Sequence, residues 1–280
     1  MEYFHNVVQK EILSMKNTLY SNYLKEKIKA RPVFGMTMYT NCPQLIESLG
    51  YAGFDFVFID AEHCPWETTS LRESILAARS VGISPLVRVT EPDMIQIRKA
   101  LEMGAEGVII PHVRTVEDMK LCVKAAKFPP LGRRGFDTTV RAAQFGMGID
   151  GQDFVKVANS TELVIPMCED FEFTDRLGEM LDVEGIDAIN FGPADYSMST
   201  NRPSGYDMKN NNTEEVMRKL IEEGDKRGIA LMAPALPTTS ETIKSMIAKG
   251  VKMLICGSDI LNFQNALKTI KSAGVSDYIG

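Results

Sequence analysis

Eight short apolar runs punctuate the chain: Val33–Met38, Phe56–Ile59, Pro85–Val89, Gly107–Ile110, Leu163–Met167, Ala188–Phe191, Ala230–Met232 and Met253–Ile255. They are mostly continuous rather than alternating, the pattern of strands buried on both faces. Between them lie stretches with apolar residues at helical spacing. Gln44–Leu49 is followed by Gly50, Thr69–Val81 by Gly82, Ile95–Met103 by Gly104, Glu214–Arg227 by Gly228 and Thr242–Lys249 by Gly250, while Val116–Lys127 ends before Pro129 and Pro130. A glycine just past the last turn accepts the left-handed conformation that stops a helix. Thr, Ser or Asp ahead of several segments can cap the first free amides. Even alternation of strand and helix predicts a single (β/α)8 TIM-type barrel over residues 17–280; the alternative is a doubly wound open sheet. Residues 1–16 precede the first unit and read as an N-terminal helical arm or a flexible extension. The connection Phe128–Gly151 is long, and long connections in compact domains are usually functional or mobile.

Ligands of a parallel barrel meet the C-terminal ends of its strands, so each strand end carries candidate chemistry. The second run leads into Asp60-Ala61-Glu62-His63-Cys64-Pro65-Trp66. His63 is there either a general acid or base or a loop histidine tied to a carbonyl. Trp66, the one tryptophan, is a lid over a pocket or simple packing. The third run ends in Arg88-Val89. A guanidinium at the end of an apolar run needs an anion: a carboxylate or enolate of the substrate, or a structural partner such as Glu62 or Glu102. The fifth and sixth runs end in Met167-Cys168-Glu169 and Gly192-Pro193-Ala194-Asp195. Glu169 and Asp195, on adjacent strands, repel unless a cation such as Mg²⁺ lies between them; otherwise they are solvated loop acids. The Gly192–Asp195 turn can also aim amides at a substrate carboxylate. His112, after the fourth run, reads as a supporting residue.

Composition narrows the field. With 280 residues, 44% of them hydrophobic, the chain has ample material for a core. Its net charge of −6 argues against a nucleic-acid partner. No apolar run approaches the roughly 20 residues that span a bilayer. The N-terminal segment has neither the cationic start nor the apolar block of a secretory signal, so the expected location is cytoplasmic, with no membrane partner. Five dispersed cysteines without a C-x-x-C pair read as free thiols. Three histidines restrict imidazole chemistry to His63 and His112, with His5 in the N-terminal arm. Gly146–Gly151 matches G-x-G-x-x-G but follows no strand, so a dinucleotide site is not expected. Arg133, Arg134 and Arg141 make the long connection basic, either a solvated surface or an anion gate.

The strings FIDAEHCPW, PLVRV, GAEGVIIPHV, FPPLGRRGF and LDVEGIDAINFGPADYS, with Glu169 at the end of the fifth run, resemble the HpcH/HpaI aldolases. These are metal-dependent class II pyruvate aldolases, and the resemblance runs from about Asn17 to Ala273. It implies a divalent metal (Mg²⁺ or Mn²⁺, or else Co²⁺) on Glu169 and Asp195, Arg88 at the keto oxygen, and His63 as acid/base. It places the pyruvate carboxylate on the Gly192, Ala194 and Asp195 amides beside Pro193. It also implies a C-terminal helix exchanged between subunits and a homo-oligomer, a hexamer or trimer of dimers. Two positions depart from the family pattern: Glu102 replaces the aspartate that commonly partners the histidine, and Met167 replaces a glutamine whose amide can hydrogen-bond.

The expected reaction is cleavage of a 4-hydroxy-2-oxo acid to pyruvate and an aldehyde. The aldehyde would sit near His63, Trp66 and the basic connection. Alternatives are an acyl-CoA lyase, an oxaloacetate decarboxylase, or a catalytically impaired barrel that only binds a carboxylate.

Overall fold

The structure is a computed structural model that describes residues 23–201 and 211–274; the predicted extension over residues 1–16 lies outside them. Eight strands are present: β1 (Val33–Met38), β2 (Phe56–Asp60), β3 (Ser84–Arg88), β4 (Gly107–Ile110), β5 (Leu163–Cys168), β6 (Ala188–Phe191), β7 (Ala230–Pro234) and β8 (Met253–Ser258). They pair in sequence order, all parallel, and β8 closes on β1. The predicted (β/α)8 barrel is therefore the observed architecture.

Alternate residues of each strand fall into two apolar layers. Val33, Phe56, Phe58, Leu86, Ile109, Leu163, Ile165, Met167, Met232, Met253 and Ile255 fill the barrel, together with Leu24 from α1 (Tyr23–Ala30). Val57, Ile59, Val87, Val108, Ile110, Val164, Ile189, Leu231 and Leu254 face outward into a second cluster beneath the helices. Burial on both faces explains why the runs are continuous in sequence. Each fully buried aliphatic or aromatic side chain contributes about 1.5–3 kcal/mol relative to exposure. The inward track fixes the site: extending it toward the C-terminal mouth leads from Phe58 to Asp60, from Leu86 to Arg88, from Ile165 through Met167 to Glu169, and from Ala188 to Asn190.

The helices on the outside are α2 (Pro43–Tyr51), α3 (Thr68–Ser80), α4 (Met94–Glu102), α5 (Val116–Ala126), α6 (Gly151–Thr161), the short α7 (Phe171–Asp175), α8 (Leu177–Leu181) and α9 (Pro193–Ser199), then α10 (Asn211–Asp225), α11 (Ser240–Lys249) and α12 (Asp259–Ser272). Thr115 and Asp118 form a reciprocal capping box at the start of α5. Gly250 ends α11 with φ +105°, as its position in the sequence predicts. Gly50 does not act this way. The helix α2 runs through it, and a Cβ there would lie 2.3 Å from Val81 Cγ2, so this glycine permits close packing of α2 against the end of α3.

The long connection after α5 is also not what its charge suggests. It contains a 3-10 turn over Arg141–Gly146 and packs Phe128, Ala142 and Ala143 against Phe154 and Ala158 of α6. Arg134 is buried, stacks on Phe128 at 4.8 Å and pairs with Glu162, the residue before β5. Because Glu162 marks the N-terminal end of the barrel, this basic segment lies away from the mouth and cannot form the aldehyde pocket within one chain. The G-x-G-x-x-G string bridges the 3-10 turn and α6, whose first turn is capped by Asp150.

The N-terminal end is tied by Asp55, which accepts from Lys27 Nζ at 2.9 Å, Arg31 Nη1 at 2.8 Å and the Phe34 amide at 3.1 Å. Burial opposes its charge, but the Arg31, Lys27 and Phe34 hydrogen bonds outweigh that, leaving the carboxyl below its ordinary value. A lowered value in the folded state gives stability that is present above the unfolded value and lost as pH falls through the folded one. Asp55→Asn is expected to cost about 1–3 kcal/mol at pH 7. Its deficit against wild type should shrink below about pH 3.9; urea melts showing the same deficit at pH 3 and pH 7 would refute this.

Candidate active site

Arg88 is the inward-facing residue at the end of β3 and is buried. Its Nε donates to Asp60 Oδ1 at 2.9 Å and its Nη2 donates to Asp60 Oδ2. This fork-to-carboxylate match is the most specific geometry an arginine makes. The register pairs the two residues across neighbouring strands. Burial alone would make Arg88 easier to deprotonate, but the Asp60 hydrogen bonds and the Asp60 and Glu62 charges raise it further. The remaining nitrogen, Nη1, is 3.0 Å from Glu62 Oε2 and 3.9 Å from Met167 Sδ. The guanidinium also lies 5.4 Å from the centre of the Phe58 ring, a cation–π contact.

Asp60 organises the loop as well. Its Oδ1 accepts from the Glu62 amide at 3.0 Å and the His63 amide at 3.3 Å, an Asx-type turn that carries His63 over the mouth. His63 Nε2 is 3.7 Å from Glu62 Oε2. Glu62 thus touches Arg88 and His63, and its other oxygen is 3.0 Å from His112 Nε2.

Glu169 follows β5 and is 2% exposed. Burial, opposed by the hydrogen bond from the His112 amide and by the His112 charge, and reinforced by the Glu62 and Asp195 charges, pushes its carboxyl up to about 7. Gly192 admits it closely, since a Cβ there would stand 3.0 Å from Glu169 Cβ and 3.2 Å from Oε2. Asp195 sits in the exposed first turn of α9, after Gly192 and Pro193. Asn190 Oδ1 is buried without a hydrogen-bond partner.

These observations fit a hard divalent ion. Its donors would be carboxylate oxygens, neighbouring acids raise the Glu169 carboxyl, and the buried Asn190 Oδ1 lacks a donor. Among the described residues, no three His, Cys, Asp or Glu side chains form a ready-made metal cage. An ion held by two carboxylates would take its remaining ligands from water and substrate oxygens.

A cavity of about 380 Å³ opens at this end of the barrel. Arg88, His63, Met167, Gly192, Pro193, Ala194 and Asp195 line it, as do Thr37, Phe58, Asn190 and Leu236. The structure therefore gathers most of the expected residues at one mouth. Glu169 packs against Gly192 and does not itself line the cavity, and two others are placed further away. Trp66 packs against the outer layer beneath the helices and is not in the cavity wall. Glu102 is in the last turn of α4, 3.7 Å from Arg98 Nε. That helix runs back to the N-terminal end of the barrel, so within one chain Glu102 does not reach His63. Sequence reasoning also missed Asp60 as the partner of Arg88, although its place two residues beyond inward-facing Phe58 was an available signal. The five cysteines are all unpaired, and no helix among the described residues is long and apolar enough to cross a membrane.

Eight parallel strands thus carry an arginine–carboxylate cluster and two further acids at the C-terminal mouth of a barrel. The sequence profile of the HpcH/HpaI aldolase/citrate lyase family matches residues 34–266, and the chain belongs to that family. It is 29% identical over 255 residues to 2-keto-3-deoxy-L-rhamnonate aldolase of Escherichia coli K12, covering 90% of this chain and 92% of the relative. Among solved structures it is similar to citrate synthase SbnG, with 30% identity, a TM-score of 0.80, and 91% and 98% of the two chains covered. It is likewise similar to an HpcH/HpaI aldolase of Desulfitobacterium hafniense DCB-2, at 26% identity and a TM-score of 0.81, covering 90% and 97%.

The Arg88–Asp60 pair sets a stability test. Arg88→Met leaves a fully buried carboxylate unpaired and is expected to cost about 3–5 kcal/mol in urea unfolding. Adding Asp60→Asn should recover part of that loss. A single variant as stable as wild type would show that Asp60 needs no counter-ion.

Proposed function

We propose that this protein is a divalent-metal-dependent carbon–carbon lyase that cleaves a 4-hydroxy-2-oxo acid to pyruvate and an aldehyde. The observation that carries this reading is the convergence of Arg88, His63 and Asp195 on one cavity, with Glu169 packed directly behind Gly192 of its wall. An ion on Glu169 and Asp195 supplies Lewis-acid polarisation of the 2-oxo acid.

The chain's own groups supply the rest. The amides of Ala194 and Asp195, in the first turn of α9, have no helical carbonyl to bond and are available to the substrate carboxylate. Arg88 Nη1, which Asp60 does not engage and which stands 3.0 Å from Glu62 Oε2, has further N–H capacity to donate to the keto oxygen as it gains negative charge. Asp60 holds the guanidinium plane fixed, so little reorganisation is needed when that charge develops. His63 takes the proton from the C4 hydroxyl as the C3–C4 bond breaks; in the synthetic direction it returns that proton. Met167 contributes apolar surface and a thioether beside Arg88 where an amide would offer hydrogen bonds.

We also propose that the protein is a homo-oligomer in which α12 packs on a second copy. Ile260, Phe263, Leu267 and Ile270 lie along one stripe of this helix and are 39–63% exposed, more apolar surface than a helix usually leaves to water. Phe263→Glu with Leu267→Glu should lower the mass found by light scattering; an unchanged mass would refute the exchange. A small-molecule 2-oxo acid as sole substrate partner and a cytoplasmic location complete the proposal.

The function is tested by following pyruvate released from 4-hydroxy-2-oxo acids with Mg²⁺, Mn²⁺ or Co²⁺ and with chelator. Release is expected only with metal, and Glu169→Ala should abolish it. Turnover by that variant in chelator, or no release by the metal-loaded protein, would refute the reading. The likeness to a citrate synthase makes oxaloacetate, with and without an acyl-CoA, the second substrate set to assay. Activity confined to that set would favour the thioester or decarboxylase reaction.

A further inference from the structure

His112 stands two residues beyond β4 with φ +56°, in the left-handed region that residues other than glycine seldom occupy. In this conformation its main-chain amide donates to Glu169 Oε1 at 2.6 Å. The same oxygen is 3.4 Å from His112 Nδ1. On the other side of the ring, Nε2 is 3.0 Å from Glu62 Oε1. One residue thus contacts the carboxylate that follows β5 and the carboxylate that follows β2.

The contacts divide each carboxylate. In Glu169, Oε1 is engaged by His112, while Oε2 faces Gly192, where an added Cβ would lie 3.2 Å away. In Glu62, Oε1 is engaged by His112, while Oε2 is 3.0 Å from Arg88 Nη1 and 3.7 Å from His63 Nε2. Asp170, the third acid near the ring at 3.8 Å, already accepts from Arg114 Nε at 2.8 Å and does not need the histidine.

We propose that His112 is a positioning residue: its amide and imidazole hold Glu169 and Glu62 so that one oxygen of Glu169 is turned to the metal and one oxygen of Glu62 is turned to Arg88 and His63. This rests on the metal-dependent reading above. Groups that orient metal-ligating side chains change metal affinity by about 10–100-fold when removed. Loss of the imidazole therefore affects two readouts: metal binding through Glu169, and turnover through the Glu62 contacts.

His112→Gly and His112→Asn separate these roles, because glycine and asparagine both tolerate the left-handed main chain. The glycine variant retains the amide and loses the ring. In the asparagine variant, the amide nitrogen replaces Nδ1 near Glu169 but is too short to replace Nε2 at Glu62. Mn²⁺ binding is measured by the free-ion paramagnetic resonance signal, apart from any assay of activity. Cleavage is then measured at saturating Mn²⁺, with melting temperature as the control for folding.

For His112→Gly, the Mn²⁺ Kd is expected to rise about 10–100-fold, and kcat to fall more than KM changes. For His112→Asn, Mn²⁺ affinity should recover most of the way to wild type while kcat stays low. A glycine variant with the Kd and kcat of wild type overturns the role of His112. If the glycine variant does not fold, an asparagine variant matching wild type in kcat overturns it. Wild-type protein that binds no Mn²⁺ instead overturns the metal-dependent reading, and the two failures are thereby distinguished.

Discussion

The ion pair between Arg88 and Asp60 is the constraint on which the mouth of this barrel depends. Asp60 has no solvent exposure and Arg88 has little, so neither charge is sustained by water. Each is tolerable only because the other is in place. The same carboxylate accepts the Glu62 and His63 amides, so it fixes both the arginine fork and the turn that carries the histidine. An interaction of this kind adds little net stability, since desolvation offsets much of the attraction. It does specify one geometry, which a site acting on developing negative charge requires.

From that pair a connected set of contacts extends around the mouth. Glu62 links Arg88 and His63 to His112, and His112 links to Glu169. Glu169 is the strained member electrostatically, with burial and neighbouring acids raising it to about 7. A carboxyl raised by burial and neighbouring acids marks functional sites more often than structural ones. The structural ion pairs contrast with it. Asp55, at the opposite end of the barrel, faces two cations and is held below its ordinary value.

Much of this was legible in the sequence because the period of a strand is two. Once the runs are recognised as strands buried on both faces, Arg88, Met167 and Glu169 fall on the inward track at the C-terminal end; Arg88 and Met167 line one cavity, and Glu169 lies against Gly192 of its wall. The failures have physical causes too. The basic connection reads as a solvated surface or an anion gate, but Arg134 turns inward against Phe128, Phe154 and Glu162, a tertiary arrangement that charge alone does not reveal. Glu102 was placed by resemblance, yet α4 carries it back to the N-terminal end. Trp66 lies close to His63 in sequence, but the turn set by Asp60 sends the two side chains to different places. Asp60 does not stand out in the sequence, since a buried aspartate acquires meaning only from its partners in space; His112 reads as a supporting residue in the sequence, but which groups it contacts depends on its left-handed main chain.

The central claim is that this mouth stabilises the enolate of a bound 2-oxo acid, whatever aldehyde the protein uses. Exchange of the pyruvate methyl protons in D2O, followed by proton NMR, tests it without knowledge of the aldehyde. The account predicts exchange that requires both wild-type protein and a divalent metal and that is lost on adding chelator. Metal-loaded protein that leaves the methyl signal at the rate of the protein-free control would contradict it.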